Sequence, residues 1–252
     1  MKCELAIIIL IIIVIVLGID YYFYRVLNLS ESSTNNNLNY LNKYFDQVYV
    51  ITLPNRKSYI QSVMREINLS CHYFPAVLKN KLNKENLISS RFLSPKNNLN
   101  DGQIACHLSH ISVLKKFLKS GANNCLIFED DLKTPEVSNT TIFSTMNSIP
   151  KDYDIIYLGR CWDSCRNTIE LNNYVVKCYS PQCRHAYGVS RKGAEKIIKY
   201  SQPLVKAGDA TISEYIKRGQ IIAYAPKKSF FFQNREQLGS NLNNTSIQRE
   251  CV

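Results

Sequence analysis

Cys125-Leu126-Ile127-Phe128-Glu129-Asp130-Asp131 decides how this 252-residue chain is read. A short apolar run ends abruptly in three adjacent carboxylates. Apolar residues at this density read as a buried strand. Three acids at its end repel one another and raise one another's pKa unless positive charge sits among them. A hard divalent cation is the usual remedy, because carboxylate oxygens suit Mg²⁺ and Mn²⁺. In open α/β sheets, ligands collect beyond the carboxyl ends of the strands. The competing reading of these residues is a solvated acidic turn.

Just upstream, Ile104, Leu108, Ile111, Leu114 and Leu118 recur at three or four residues, which predicts a helix over 104–119. Asp101 or Gly102 opens it and Gly121 closes it. Further out, strands are expected at 48–53, 73–77, 154–159, 186–189 and 220–224, with helices at 56–69, 193–200 and 210–217. Alternating strands and helices imply an α/β domain on a largely parallel sheet. The segment 28–44 is polar, Asn- and Ser-rich and aperiodic, and reads as a stem. The domain proper is expected over 45–252.

The first 27 residues are of another kind. An unbroken apolar run covers 5–19, and Tyr21-Tyr22-Phe23-Tyr24 follows. With its aromatic belt the stretch reaches about 20 residues, enough to cross a bilayer. A retained signal anchor is the favoured reading and a cleaved signal peptide its rival. The bulk of the chain follows this segment, so a single-pass type II membrane protein with a lumenal domain in the ER or Golgi is expected. Nine Cys fit an oxidising compartment, and Cys161, Cys165, Cys178 and Cys183 suggest a stapled loop, with zinc the alternative. The net charge of +11 is scattered, with no basic block, and nucleic acid is not expected as a partner.

Five blocks resemble glycosyltransferase family 25, which includes lipo-oligosaccharide and procollagen galactosyltransferases. They are Val48-Tyr49-Val50-Ile51-Thr52-Leu53 with Arg56; Phe74-Pro75-Ala76-Val77; Gly102-Gln103-Ile104-Ala105-Cys106-His107-Leu108-Ser109-His110; Ile127-Phe128-Glu129-Asp130-Asp131; and Ala186-Tyr187-Gly188-Val189-Ser190 with Gly193-Ala194. They stand in family order across roughly 46–240. Thr52 stands where the family usually has Asn, and Gln103 where it has Glu.

The resemblance implies a GT-A-like fold, with a Rossmann-type, mostly parallel sheet flanked by helices. It implies metal-dependent, inverting transfer of a hexose, with galactose first among candidates, from a UDP-sugar to a hydroxyl of a glycan or protein. Asp131 is then the leading ligand for Mn²⁺ or Mg²⁺, with Glu129 sharing the metal or binding ribose and His185 a third candidate. Asp130 is a catalytic or second metal residue, or else a backbone cap. Arg56, Thr52, His110 and Glu129 are candidates for donor binding. Asp209 is the candidate base, with Asp163 and Glu214 behind it, and a helix N-cap is the other reading of Asp209. A catalytically degenerate, glycan- or partner-binding relative is the alternative function.

Overall fold

The computed structural model describes residues 37–239. The expected membrane segment and residues 28–36 of the expected stem lie outside them. No helix among the described residues is long and apolar enough to cross a membrane.

Eight strands form one sheet: β1 (Gln47–Thr52), β2 (His72–Pro75), β3 (Asn124–Glu129), β4 (Ile155–Cys161), β5 (Ile169–Glu170), β6 (Val175–Lys177), β7 (Gln182–Ser190) and β8 (Ala223–Pro226). Their order is β2-β1-β3-β7-β4-β8-β6-β5. β2, β1 and β3 run parallel, as do β4 and β8, whereas β7 runs antiparallel to both β3 and β4. The sheet is therefore mixed, not mostly parallel, because β7 enters between two parallel groups and β6 pairs antiparallel to β8.

Period-two alternation divides the core between the two faces. Tyr49, Ile51, Cys125, Ile127, Ile155 and Tyr157 belong to one buried cluster, and Val48, Val50, Leu126, Phe128, Ile156 and Leu158 to the other. Ile104, Ile111, Leu114 and Phe117 of α4 (Asp101–Lys119) join the first, with residues of α6 (Arg191–Tyr200) and α7 (Gly208–Lys217). Residues of α1 (Asn39–Tyr44), α2 (Lys57–Glu66) and α5 (Asn139–Ser148) join the second. Leu87 and Ile88 of the short helix α3 (Lys84–Ser89) pack against the first cluster, and another short helix, α8 (Arg235–Leu238), follows β8 in sequence.

The expected stem does not extend to residue 44. Leu38 and Leu41 are buried in the core, so a short amphipathic turn docks where the polar composition predicted none. The helix expected to open at Asp101 or Gly102 starts at Asp101, where Asn100 and Gln103 form a reciprocal capping box. Gln103, the departure from the family's Glu, performs this role without a charge.

Candidate active site

Alternation along β3 continues into the acids and sorts them. Glu129 shares the parity of Cys125 and Ile127 and so turns toward α4. There its Oε1 lies 2.9 Å from His110 Nε2. Asp130 shares the parity of Leu126 and Phe128 and turns the other way. Its Oδ2 accepts the Leu53 backbone N–H at 2.6 Å and its Oδ1 accepts from Arg56 Nη1 at 3.2 Å. Both oxygens of Asp130 thus tie the end of β1 to the end of β3. Of the roles open to it, the backbone cap is the one this geometry describes, and the catalytic one is not.

Asp131 turns back toward Glu129. Gln233 Nε2 donates to Asp131 Oδ2 at 2.9 Å, to its Oδ1 at 3.1 Å and to Glu129 Oε2 at 3.4 Å. Arg56 Nη1 stands 3.7 Å from Asp131 Oδ2. The Arg56 guanidinium is itself buried and also donates to the Leu238 carbonyl at 3.0 Å. The chain after β8 is bound down over the acids in turn, with Asn234 N–H donating to the Asp131 carbonyl and Asn234 Nδ2 reaching Tyr59 Oη at 2.8 Å.

These groups open into a cavity of about 400 Å³. Ile51, Leu53, Ala76, Val77 and Leu78 give it an apolar wall; Arg56, Lys79 and Arg235 bring positive charge; and Cys106, Ser109 and His110 line it from α4. Burial raises the carboxyls of all three acids. Glu129 is pushed up to about 7 by its burial and by the charge of Asp209. Asp131 is raised by burial and then by Glu129, and Asp130 by burial, against the Leu53 N–H and Arg56. His110 is held well below its ordinary value by burial and by Arg184. Its Nδ1 meets Tyr187 Oη at 3.1 Å, which fixes the ring.

Of the candidate residues, Arg56, His110, Glu129, Asp130 and Asp131 therefore share one cavity. Thr52, His185 and Asp209 do not line it. The buried Thr52 hydroxyl donates to the Leu53 carbonyl at 3.0 Å. His185 Nε2 donates to the Phe231 carbonyl at 3.0 Å. Strict alternation from Tyr187 would turn His185 toward α4. The register between β4 and β7 shifts at Gly159, where a Cβ would come within 2.3 Å of His185 Nε2, and the imidazole stands near enough to Glu129 and Asp131 to lower their carboxyls. Asp209 lies in the first turn of α7 but makes no N-cap; the cap position is Ala207. Its Oδ1 accepts from Arg184 Nε at 2.6 Å, and Arg184 Nη2 lies 3.3 Å from His107 Nδ1.

The two reserve carboxylates are used elsewhere. Buried Asp163 caps the Tyr179 and Ser180 N–H groups, and Glu214 pairs with Lys206 and Arg218 at the surface. In the Cys cluster, Cys161 is bonded to Cys183, while Cys178 is free and buried. Sequence reasoning missed Gln233 and Arg235, which carry no motif, and Cys106, which stood inside a quoted block without a role.

An acid-ended central strand, a buried Arg clamp and a cavity at the strand ends are features with which α/β domains bind ligands. Comparison with known proteins makes this specific. The model of glycosyltransferase family 25 (LPS biosynthesis protein) matches residues 45–212, and the chain belongs to that family.

Among its relatives, the probable inactive glycosyltransferase 25 family member 3 of Rattus norvegicus is 29% identical over 64% of this chain and 31% of its own length. A putative glycosyltransferase of Haemophilus influenzae is 27% identical over 71% of this chain and 67% of its own. Procollagen galactosyltransferase 1 of Danio rerio is 24% identical over 64% and 30%. The chain thus spans about a third of the length of the first animal relatives it matches. Its relatives include proteins named glycosyltransferases and proteins named inactive.

Proposed function

We propose that this chain is a metal-dependent, GT-A-type glycosyltransferase. It moves a hexose, galactose first among candidates, from a UDP-sugar to a hydroxyl of a glycan or protein acceptor, with inversion. The observation that carries this reading is the convergence of the Glu129 and Asp131 carboxylates on one donor, the Gln233 amide nitrogen, at the edge of the cavity. Two carboxylates, Asp131 buried and Glu129 half-buried, that focus on one N–H donor fit a hard divalent cation, Mn²⁺ or Mg²⁺, held by Glu129 and Asp131. When bound, such an ion supplies Lewis-acid stabilisation to the departing diphosphate.

The remaining work falls to the chain's own groups. The wall of Ile51, Ala76 and Val77 suits the flat face of a base, and Lys79 and Arg235 suit phosphate oxygens. Asp130 and Arg56 hold the ends of β1 and β3 together, so the acids are set before the donor arrives. Asp209 accepts the proton of the acceptor hydroxyl as the bond to UDP breaks, its carboxylate oriented by Arg184. The residues before 28 anchor the protein as single-pass type II, with the catalytic domain in the ER or Golgi lumen. The Cys161–Cys183 disulfide favours that oxidising compartment.

The second reading, a binding protein without catalysis, is favoured by the relatives named inactive in rat and mouse. One assay separates the two. The purified full-length chain is given a panel of UDP-sugars with Mn²⁺ or EDTA, beside Asp131→Ala, and both UDP release and UDP–Mn²⁺ stabilisation against heat are read. Mn²⁺-dependent release from one sugar, lost in the variant, is expected. If UDP is not released and UDP with Mn²⁺ leaves the melting temperature unchanged, the transferase reading fails.

A further inference from the structure

The cavity holds a second set of donors, of different chemistry. Cys106 and His110 stand four residues apart on α4 and so share one helix face. Both face Glu129: His110 Nε2 lies 2.9 Å from Glu129 Oε1 and Cys106 Sγ lies 3.9 Å from the same oxygen. One ligand atom from each of the three falls within 4.8 Å of the other two.

We propose that Cys106, His110 and Glu129 form a binding site for a thiophilic divalent cation, Zn²⁺ first, which shares Glu129 with the hard-cation pair of Glu129 and Asp131 and adds two soft donors to it. Tetrahedral zinc with bonds of about 2.0–2.3 Å places its ligand atoms roughly 3.3–3.7 Å apart. The Sγ–Oε1 distance of 3.9 Å and the Nε2–Oε1 distance of 2.9 Å bracket that range and the third lies within 4.8 Å, so side-chain movements of up to about an ångström close the site.

The outer shell also fits. A zinc-bound His usually gives its other ring nitrogen to an oxygen, and His110 Nδ1 meets Tyr187 Oη at 3.1 Å. The short Nε2–Oε1 contact requires one proton between the two groups, and the cation takes that proton's place. Burial and then the charges of Glu129 and Asp209 hold the Cys106 thiol protonated in the empty site, and a bound cation replaces its proton and offsets those charges. Arg184 opposes it but is paired with Asp209. The fourth position opens to the cavity.

The site stands on these three residues alone. Its consequence rests on the transferase reading: Zn²⁺ would withdraw Glu129 from the donor-site ion and inhibit transfer. Co²⁺ is the probe for binding, because a Co²⁺–thiolate bond gives a charge-transfer absorption band that an oxygen or nitrogen site does not. The full-length chain, Cys106→Ser, His110→Ala and the control Cys71→Ser are titrated with Co²⁺ and then back-titrated with Zn²⁺. Far-ultraviolet circular dichroism checks their folding.

The band is expected in the wild type and in Cys71→Ser. It should be abolished in Cys106→Ser, and Zn²⁺ affinity should fall at least tenfold in both Cys106→Ser and His110→Ala. Absence of the band in folded wild type, or its survival in Cys106→Ser, overturns the proposal. Mn²⁺ binding by wild type and Asp131→Ala, measured in parallel by electron paramagnetic resonance, reports on the transferase site independently.

Discussion

Glu129 makes the folded protein less stable as the pH rises, and Glu129→Gln should remove that penalty. Its carboxyl is pushed from an ordinary 4.5 up to about 7, chiefly by burial. A carboxyl raised on folding contributes stability that is fully present below its unfolded value and is lost as pH climbs through the folded value. The window is therefore about pH 4.5 to about 7. At ~1.36 kcal/mol per pH unit the shift corresponds to about 3 kcal/mol.

The side chain is 24% exposed, so solvent screening lowers the expected figure to about 2 kcal/mol. For a domain of this size that is roughly 4–8 °C in melting temperature. His110 and His107 act in the opposite sense. Burial holds both below their ordinary value, so they lower stability as the pH falls. A wild-type pH curve alone would mix the two effects. The assay is therefore the difference in melting temperature between Glu129→Gln and wild type, at pH 5 and at pH 8, in EDTA. Gln keeps the shape and can still bond His110, so the difference isolates the charge. The variant should gain at pH 8 and not at pH 5. Parallel curves for the two proteins would refute the assignment of a raised, buried carboxyl, and with it the need for positive charge in the cavity. Saturating Mn²⁺ should raise the melting temperature of wild type at pH 8 and do much less for the variant.

Other substitutions probe the surrounding parts. Arg56→Met leaves Asp130 and Asp131 buried without their cation and should destabilise the fold by about 3 kcal/mol, read by urea denaturation. A methyl group on Gly208 would come within 2.1 Å of His107 Nδ1 and 2.7 Å of Arg184 Nη2, so Gly208→Ala should displace the Arg184–Asp209 pair and lower turnover at least tenfold in the transfer assay. Asp209→Asn should reduce kcat by 10²-fold or more while leaving UDP binding near wild type; an equal loss of UDP affinity would argue that Asp209 is not the base. Cys161→Ser together with Cys183→Ser opens a loop of sequence separation 22 and should remove about 3 kcal/mol, measured by thermal unfolding under non-reducing conditions.

What could be read from the sequence followed from period and adjacency. The apolar run Cys125-Leu126-Ile127-Phe128 gave a buried strand, with a strand's alternation of sides, and three acids after it gave a charged strand end; both stand in the structure. The same alternation, carried three residues further, already contains the split between Glu129 toward α4 and Asp130 toward Arg56. Spacing on α4 likewise fixed which face His110 shares with Cys106. What could not be read was long-range. β7 lies between β3 and β4 although its residues follow both in sequence, and no local pattern specifies that insertion. Gln233 comes 102 residues after Asp131 in a segment without periodicity, so only the fold brings its amide to the acids.

The candidates outside the cavity lining share a cause. His185 and Asp209 were chosen for residue type and position near a motif, and each is engaged by a group that proximity in sequence does not report: the Phe231 carbonyl for one, and for the other Arg184, which leaves the Asp209 carboxylate partly exposed. A polar residue in a buried α/β core must find a partner on folding. Its chemical role then depends on whether that partner leaves an atom facing the cavity. Glu129, Asp131, His110 and Cys106 pass this test because their partners are one another and Gln233, at the cavity edge. Thr52 does not, because its partner is the backbone of β1's end, and Asp130, though it borders the cavity, has both oxygens taken by that backbone and by Arg56. This distinction explains why the acid block divides into two residues that can meet a ligand and one that holds the strands in place.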